Sequence, residues 1–330
     1  MRVYLTGATG FVGSNVVRVF AERHHAELFC PVHRQPPPDG APYDWSRVDL
    51  TDAGAVARSI TAFRPDAVVH GAILNDFSRL YTHRQEGWDA YVGATRNVVD
   101  AANAVGARVV LVSTDWVFDG TQGGATEGTP PNPINAYGFL KAASELVVRE
   151  RAAHGAVARL SGVNGVHWAR PEAPRRQDAG FGYLVASMVE ALRAGRRFTV
   201  WQSPAINTVA SPTLASDAAE LLWRIVERQL HGTFHCCGGE AADRSELARR
   251  AAAAFELEGE LLDFGPPAAD ALPPGPVPYD TSLDARATAE ALGIEPPDLH
   301  SLLERLRAEL DTGELASPGA LPSEEPASCP

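Results

Sequence analysis

A doubly wound parallel α/β sheet, with a smaller and interleaved C-terminal region, is the fold that this 330-residue sequence predicts. Three observations carry the prediction. Short apolar runs alternate with amphipathic stretches through the first half, the pattern of parallel strands joined by crossover helices. A glycine-rich turn, TGATGFVG, stands between the first apolar run and the first amphipathic stretch. A later run, RVVLV, ends abruptly in Ser113, Thr114 and Asp115. These are polar groups at the carboxyl end of a buried strand, where doubly wound sheets bind their ligands.

Taken in order, strands read at 2–5, 26–32, 47–48, 67–70, 108–112 and 156–159, with helices at 12–23, 53–63 and 86–105 and a further helix through Tyr137 and Lys141. The alternation thins after Gly162. HWARPEAPRRQDAG reads as a polar loop, followed by helices at 183–194, 216–229 and 245–255 and short strands at 198–200 and 233–236. FGPPAADALPPGPVPYD is too rich in proline for regular structure. Helical patterns at 283–292 and 299–310 follow, and 312–330 has the low-complexity composition of a disordered tail.

Composition narrows the function. The formal net charge of −12 argues against a nucleic-acid surface, which needs a basic face. No apolar run approaches the roughly 20 residues of a membrane span, and the N-terminus lacks a signal-peptide pattern. The four cysteines, Cys30, Cys236, Cys237 and Cys329, show no metal-ligand spacing. They read as reduced thiols of a cytoplasmic protein, with no metal site. Among the 29 basic residues only Lys141 is a lysine. In a chain that uses arginine everywhere else, that one lysine marks a place where arginine would not serve.

The glycine turn has a direct mechanism. Gly7 permits the tight turn, Gly10 lets backbone approach a pyrophosphate, and Gly13 lets the following helix pack on the strand. Thr9, Phe11 and Val12 complete the turn, and the helix N-terminus offers N–H groups and a positive dipole end to phosphate. An ordinary strand-to-helix turn would use the same glycines. At the end of the second strand stand His33 and Arg34, where an NAD site would present a carboxylate. A guanidinium there suits the 2′-phosphate of NADP, so NADPH is the expected cofactor and NAD the alternative. Asp49 and Leu50 are placed to line the adenine pocket, although Asp49 also suits a helix cap near Thr51.

NAYGFLK puts Tyr137 and Lys141 four residues apart, on one face of a helix. A lysine ammonium is a compact charge that favours tyrosinate and can hydrogen-bond a ribose, whereas arginine is a planar fork. Thr114 would hold a substrate carbonyl, Tyr137 would donate the proton, and Lys141 would lower the tyrosine pKa. Ser113 is the weaker candidate, because neighbouring strand side chains face opposite ways.

With TGATGFVG, VDLTD, RPDAVVHGA, STDWVFDG, NPINAYGFLK, SPTLASDAA and GTFHCCGG in this order over about the first 255 residues, the chain resembles an extended short-chain dehydrogenase/reductase. Within that group it is similar to the dTDP-4-dehydrorhamnose reductase family. The resemblance implies a Rossmann sheet and NAD(P)H-dependent reduction of the 4-keto group of a nucleotide-linked deoxysugar. It implies Thr114, Tyr137 and Lys141 as the catalytic triad, with Gly71, Ala72 and Ile73 beside the cofactor. It places Asp115, Trp116, Gly162, Asn164, His167, Trp168 and Arg170 near the sugar or its diphosphate, and allows a homodimer.

The chain departs from that pattern in four places. His70–Gly71–Ala72 replaces Asn–Ala–Ala, Tyr91 replaces an Asn, Trp116 replaces a Tyr, and Ser161–Gly162–Val163–Asn164 replaces Ser–Trp–Val–Tyr. An indole moved from position 162 to position 116 would reshape the sugar pocket, so dTDP-4-keto-rhamnose is expected to be a poor substrate. Trp116 follows Asp115 where a dehydratase would carry a second carboxylate, which favours reduction over dehydration. An epimerase or dehydratase, and a non-catalytic NADP-binding regulatory subunit such as the methionine adenosyltransferase beta subunit, remain the alternatives. The expected organisation is a dinucleotide-binding unit with the triad over 1–162, a substrate-binding region over 163–311 partly interleaved with it, and the tail.

Overall fold

The computed structural model describes residues 1–33, 36–172 and 176–318. The first half runs β1 (Arg2–Thr6), α1 (Phe11–Arg18), β2 (Glu27–Val32), β3 (Asp44–Arg47), α2 (Ala53–Phe63), β4 (Ala67–His70), α3 (Phe77–Thr82), α4 (Arg84–Trp88), α5 (Ala94–Val105), β5 (Arg108–Thr114), α6 (Ala136–Arg151) and β6 (Gly155–Leu160). There follow β7 (Val163–Asn164), α7 (Leu184–Arg193), β8 (Phe198–Trp201), β9 (Val209–Ala210), β10 (Thr213–Leu214), α8 (Ala215–Glu227), β11 (Gly232–His235), β12 (Ala242–Asp243), α9 (Arg244–Ala254), β13 (Leu262–Gly265), α10 (Arg286–Leu292) and α11 (Leu299–Thr312).

Seven strands form one parallel sheet in the order β11-β6-β5-β4-β1-β2-β3. The chain winds outward in both directions from β1 and β4, the topological switch point of a Rossmann sheet. All seven residues of β5 are buried, as a central strand covered on both faces requires. Alternation along the strands divides the core. Val3, Leu5, Val69 and Val110 pack under α1 and α8, whereas Tyr4, Val68, Val109 and Leu111 pack under α2, α5 and α6. The second half therefore supplies both a strand and a covering helix to the sheet. Its own core gathers α7, α9, α11 and β8 around Leu184, Met188, Leu247 and Leu303.

Several local expectations change. β3 lies at Asp44–Arg47 instead of 47–48, an exposed edge whose polar residues carry no burial pattern. The helix read at 12–23 ends in a π-helical turn over Val19–Arg23. The helix read at 86–105 is interrupted by another π-helical turn, Asp89–Gly93. α3 was not expected; Asp76 caps it by accepting from the Arg79 N–H at 2.9 Å. β13 pairs in parallel with β8 and extends into the first two residues of the proline-rich stretch. α10 starts at Arg286 instead of 283, because the preceding backbone is drawn to Ser211 Oγ and Ala125 O. Among the described residues no helix is long and apolar enough to cross a membrane, and no group of three or more His, Cys, Asp or Glu side chains is placed to hold a metal ion.

Candidate active site

The glycine turn joins β1 to α1 at the switch point. Gly7 has φ +82°, and a Cβ there would meet Gly71 and Ala72 backbone at 2.8 Å. A Cβ on Gly13 would come within 2.0 Å of Gly7 O, so these glycines are demanded by packing. Gly10 differs: it is exposed, and it heads α1 without a side-chain cap. A turn held tight from behind, with open backbone and an uncapped helix end in front, fits a pyrophosphate. Thr6 clasps the neighbouring loop, its Oγ1 accepting from Gly71 N at 3.2 Å and Ala72 N at 3.1 Å and lying 2.7 Å from His70 Nδ1. The turn and residues 71–72 are therefore in contact, with Ile73 exposed beside them. Thr9 and Val12 are half-buried in the turn, and Phe11 lies against Tyr183, ring centroids 4.8 Å apart.

At the other end of the expected cofactor track, His33 is exposed with Nε2 4.0 Å from Asp49 Oδ2. Arg34 lies outside the described residues. Asp49 does not cap α2. Its Oδ1 accepts from the Thr51 N–H and hydroxyl at 2.9 and 2.7 Å, and Asp52 caps the helix instead. Leu50 packs partly against the core, and its carbonyl accepts from Asn97.

The catalytic candidates converge where β5 meets α6. Asn135 caps α6 through the Gly138 N–H at 2.8 Å, and a Cβ on Gly138 would lie 2.0 Å from Trp116 O. The first turn of α6 thus presses directly on the backbone after β5, which brings Tyr137 to Thr114. Thr114 Oγ1 donates to Asp115 Oδ1 at 3.0 Å and accepts from Trp116 N at 3.3 Å, and it is near enough to Tyr137 to favour the ionised form of that hydroxyl. Lys141, one turn on, is buried and donates to Val112 O at 2.8 Å. Ser113 faces the other way and donates to Glu145 Oε1 at 2.6 Å.

Electrostatics here correct one expectation. Burial pushes the Tyr137 hydroxyl up to about 12, opposed by the neighbouring Thr114 hydroxyl and reinforced by the charge of Asp115. Lys141 does not lower it, because the ammonium is turned onto the Val112 carbonyl. Burial brings Lys141 itself down to about 8, with Glu145 opposing. His70 is held neutral, its pKa lowered to about 3 by burial and by the charge of Lys141.

The substrate candidates divide. Trp116 lines the site, its ring 6.0 Å from that of Tyr137 and 5.8 Å from that of Phe77. Asp115 does not present a free carboxylate to a sugar. It is buried and accepts from Thr281, Ser161 and Thr114 hydroxyls at 2.6, 2.8 and 3.0 Å, and burial raises it to about 6. Gly162 is not a vacancy opposite Trp116. It turns with φ +50° beneath Pro212 and Ala210, which a Cβ would approach to 3.2 and 3.3 Å. The indole of Trp116 packs instead near Gly180, so no exchange of volume links positions 162 and 116. Asn164 donates to Gly162 O at 2.7 Å, and its buried Oδ1 has no partner. His167 is buried near Phe11, centroids 6.1 Å apart, and its carbonyl accepts from Arg170 N. Trp168 is turned away to α1, donating to Asn15 Oδ1 at 2.9 Å beneath the Arg18 guanidinium.

Sequence reasoning missed Ser161 and Thr281, which anchor Asp115, and it missed Glu145. The spacing of Glu145, four residues after Lys141 on the same helix, was the available signal. Ser161 and Thr281 offered none, being brought to Asp115 only by the tertiary fold.

A family model for the RmlD substrate binding domain matches residues 1–312. The chain belongs to that family. Methionine adenosyltransferase 2 subunit beta of Bos taurus is 29% identical over 266 residues, 79% of this chain and 74% of that protein. A solved structure named as a hypothetical dTDP-4-dehydrorhamnose reductase from Sulfolobus tokodaii matches with TM-score 0.73 and 25% identity, over 91% of this chain and 99% of that one. A dTDP-4-dehydrorhamnose reductase of Bacillus anthracis, solved with NADP, matches with TM-score 0.70 and 22% identity over 93% and 99%. At that identity the likeness is one of fold.

Proposed function

We propose that this RmlD-family chain is an NADPH-dependent reductase of the 4-keto group of a nucleotide-linked deoxysugar, with NADH as the alternative reductant. The observation that carries the reading is the packing of the first turn of α6 on the end of β5, which gathers Thr114, Tyr137 and the buried Lys141 at the carboxyl edge of the sheet where the glycine turn also lies. When bound, the nicotinamide supplies the hydride. The two hydroxyls orient the carbonyl, and Tyr137, protonated throughout the neutral range, gives its proton to the forming alkoxide. Lys141 keeps donors beyond its bond to Val112 O, with which it would hold the cofactor's ribose. Asp115 fixes the end of β5 through its three hydroxyl partners, and Trp116 closes the pocket against water.

The methionine adenosyltransferase relative favours a second reading, a cofactor-binding subunit of another enzyme. Incubating the purified protein with NADPH and a panel of dTDP-4-keto-6-deoxy sugars, while following nicotinamide absorbance, separates the two. Substrate-dependent loss of NADPH is the expected result. NADPH that binds but is not consumed with any member of the panel favours the subunit.

A further inference from the structure

The helix that follows β4 is broken beside the site. Between α4 and α5 the π-helical turn Asp89–Gly93 inserts an extra residue, a feature that recurs at functional sites. The residue at its centre, Tyr91, is buried, with 3% of its surface exposed. Three contacts fix it. Its hydroxyl donates to Leu74 O at 3.1 Å. Its ring stands edge-on to that of Tyr137, centroids 6.1 Å apart at 79°. The Lys141 ammonium lies over its face, 5.6 Å from the centroid.

This arrangement answers how a buried ammonium is held without a carboxylate. Among the described residues Lys141 has one hydrogen-bond acceptor, the neutral Val112 carbonyl. Glu145 acts on it through charge, but its oxygens are taken by Ser113, Arg149 and Arg159. His70, on β4, is neutral and offers no compensation. The remaining source of attraction is the negative face of the Tyr91 ring, which gains strength where water is excluded. The same ring packs edge-to-face with Tyr137, so one side chain lies against both members of the Tyr–Lys pair.

We propose that Tyr91 is a positioning residue of the site: its ring face carries the Lys141 ammonium, its ring packs in a T against that of Tyr137, and the π-helical turn places it against both. The inference deepens the proposed function, since it concerns the same tyrosine and lysine.

Lys141 is the only lysine of the chain, so its titration is measurable without background. In full-length protein labelled with 13Cε-lysine, a single side-chain signal reports it. Tyr91→Phe keeps the ring and should leave the Lys141 pKa unchanged. Tyr91→Leu should lower it by about half a unit to one and a half units. Tyr91→3,4,5-trifluorophenylalanine, which keeps the ring's shape and strips its face of charge, should lower it as well and serves if the leucine variant does not fold. A pKa unchanged or raised when the ring is removed or fluorinated overturns the assignment. The readout needs no turnover: a protein that fails to reduce any sugar contradicts the proposed function, and the titration still decides whether the ring holds the ammonium.

Discussion

Arg159 on β6 and Lys141 on α6 are both buried cations that feel Glu145, yet they are held in opposite ways. Arg159 is fully enclosed, and its Nε and Nη2 meet the two Glu145 oxygens at 3.0 and 2.8 Å, with its guanidinium over the Phe118 ring. Lys141 has a carbonyl, a ring face and a lowered pKa. A fork closed by a carboxylate is a structural joint. An ammonium left on a neutral acceptor is a charge that still has something to offer a ligand. The comparison separates residues that hold the fold from residues that the fold holds for chemistry.

The largest expected effect lies on the chemical side. Tyr137→Phe removes the proton donor and should lower kcat by roughly 10²–10⁴-fold, the range for a lost general acid. Its melting temperature should stay close to that of the wild type, and scanning calorimetry beside steady-state kinetics checks both parts. On the structural side, Arg159→Met leaves the buried Glu145 with only Ser113 and the partly exposed Arg149, and the lost charge-assisted bonds should cost about 1.5–3 kcal/mol of stability. Urea unfolding measures that loss, and turnover per folded molecule should remain near wild type. If Arg159→Met abolished turnover in protein that is still folded, the division drawn above would be misplaced.

Lys141→Met sharpens the contrast through pH. With the Lys141 pKa lowered from 10.5 to about 8 by burial, the charged side chain opposes folding at neutral pH by about 3 kcal/mol relative to an uncharged one. A lowered pKa means that the unfolded chain binds the proton more tightly, so the wild type recovers this deficit as pH rises. The stability difference between Lys141→Met and wild type should therefore be flat below pH 8 and shrink towards 10.5. A difference independent of pH across that window would show that Lys141 is not buried as a cation. Arg34→Ala gives the smallest effect, a loss of about 1.5–3 kcal/mol in NADPH affinity with NADH nearly untouched. Equal losses for both cofactors in a binding titration would remove the 2′-phosphate from the reading.

These contrasts also mark what the sequence carried. The sheet was legible because β1, β4 and β5 are short apolar runs set between amphipathic helices, and burial leaves that pattern wherever a strand is covered on both faces. The Tyr137–Lys141 pair was legible because helical spacing is local and a lone lysine stands out. The exposed edge strand β3 was misplaced because nothing buries its side chains. Asp115 and Gly162 were misread for a different reason: their partners, Thr281 with Ser161 and Pro212 with Ala210, are set by how the chain returns to the end of β6. Trp168 was assigned to the sugar because its loop follows β6, but Asn15 and Arg18 on α1 claim it. The position of Tyr91 was visible as a departure from the family pattern, whereas the π-helical turn that aims it was not.

The most direct test of the account is the turnover of Lys141→Arg, because it keeps the charge and changes only how the charge can be held. The site requires a compact ammonium at one point, on the Val112 carbonyl and over the Tyr91 ring, and a planar guanidinium cannot occupy it. Measured with NADPH and a dTDP-4-keto-6-deoxy sugar that the wild type reduces, Lys141→Arg should lose at least about 10²-fold in kcat, the scale on which small misplacements of catalytic groups act. Turnover at the wild-type rate would contradict the account, leaving the single lysine an accident of composition.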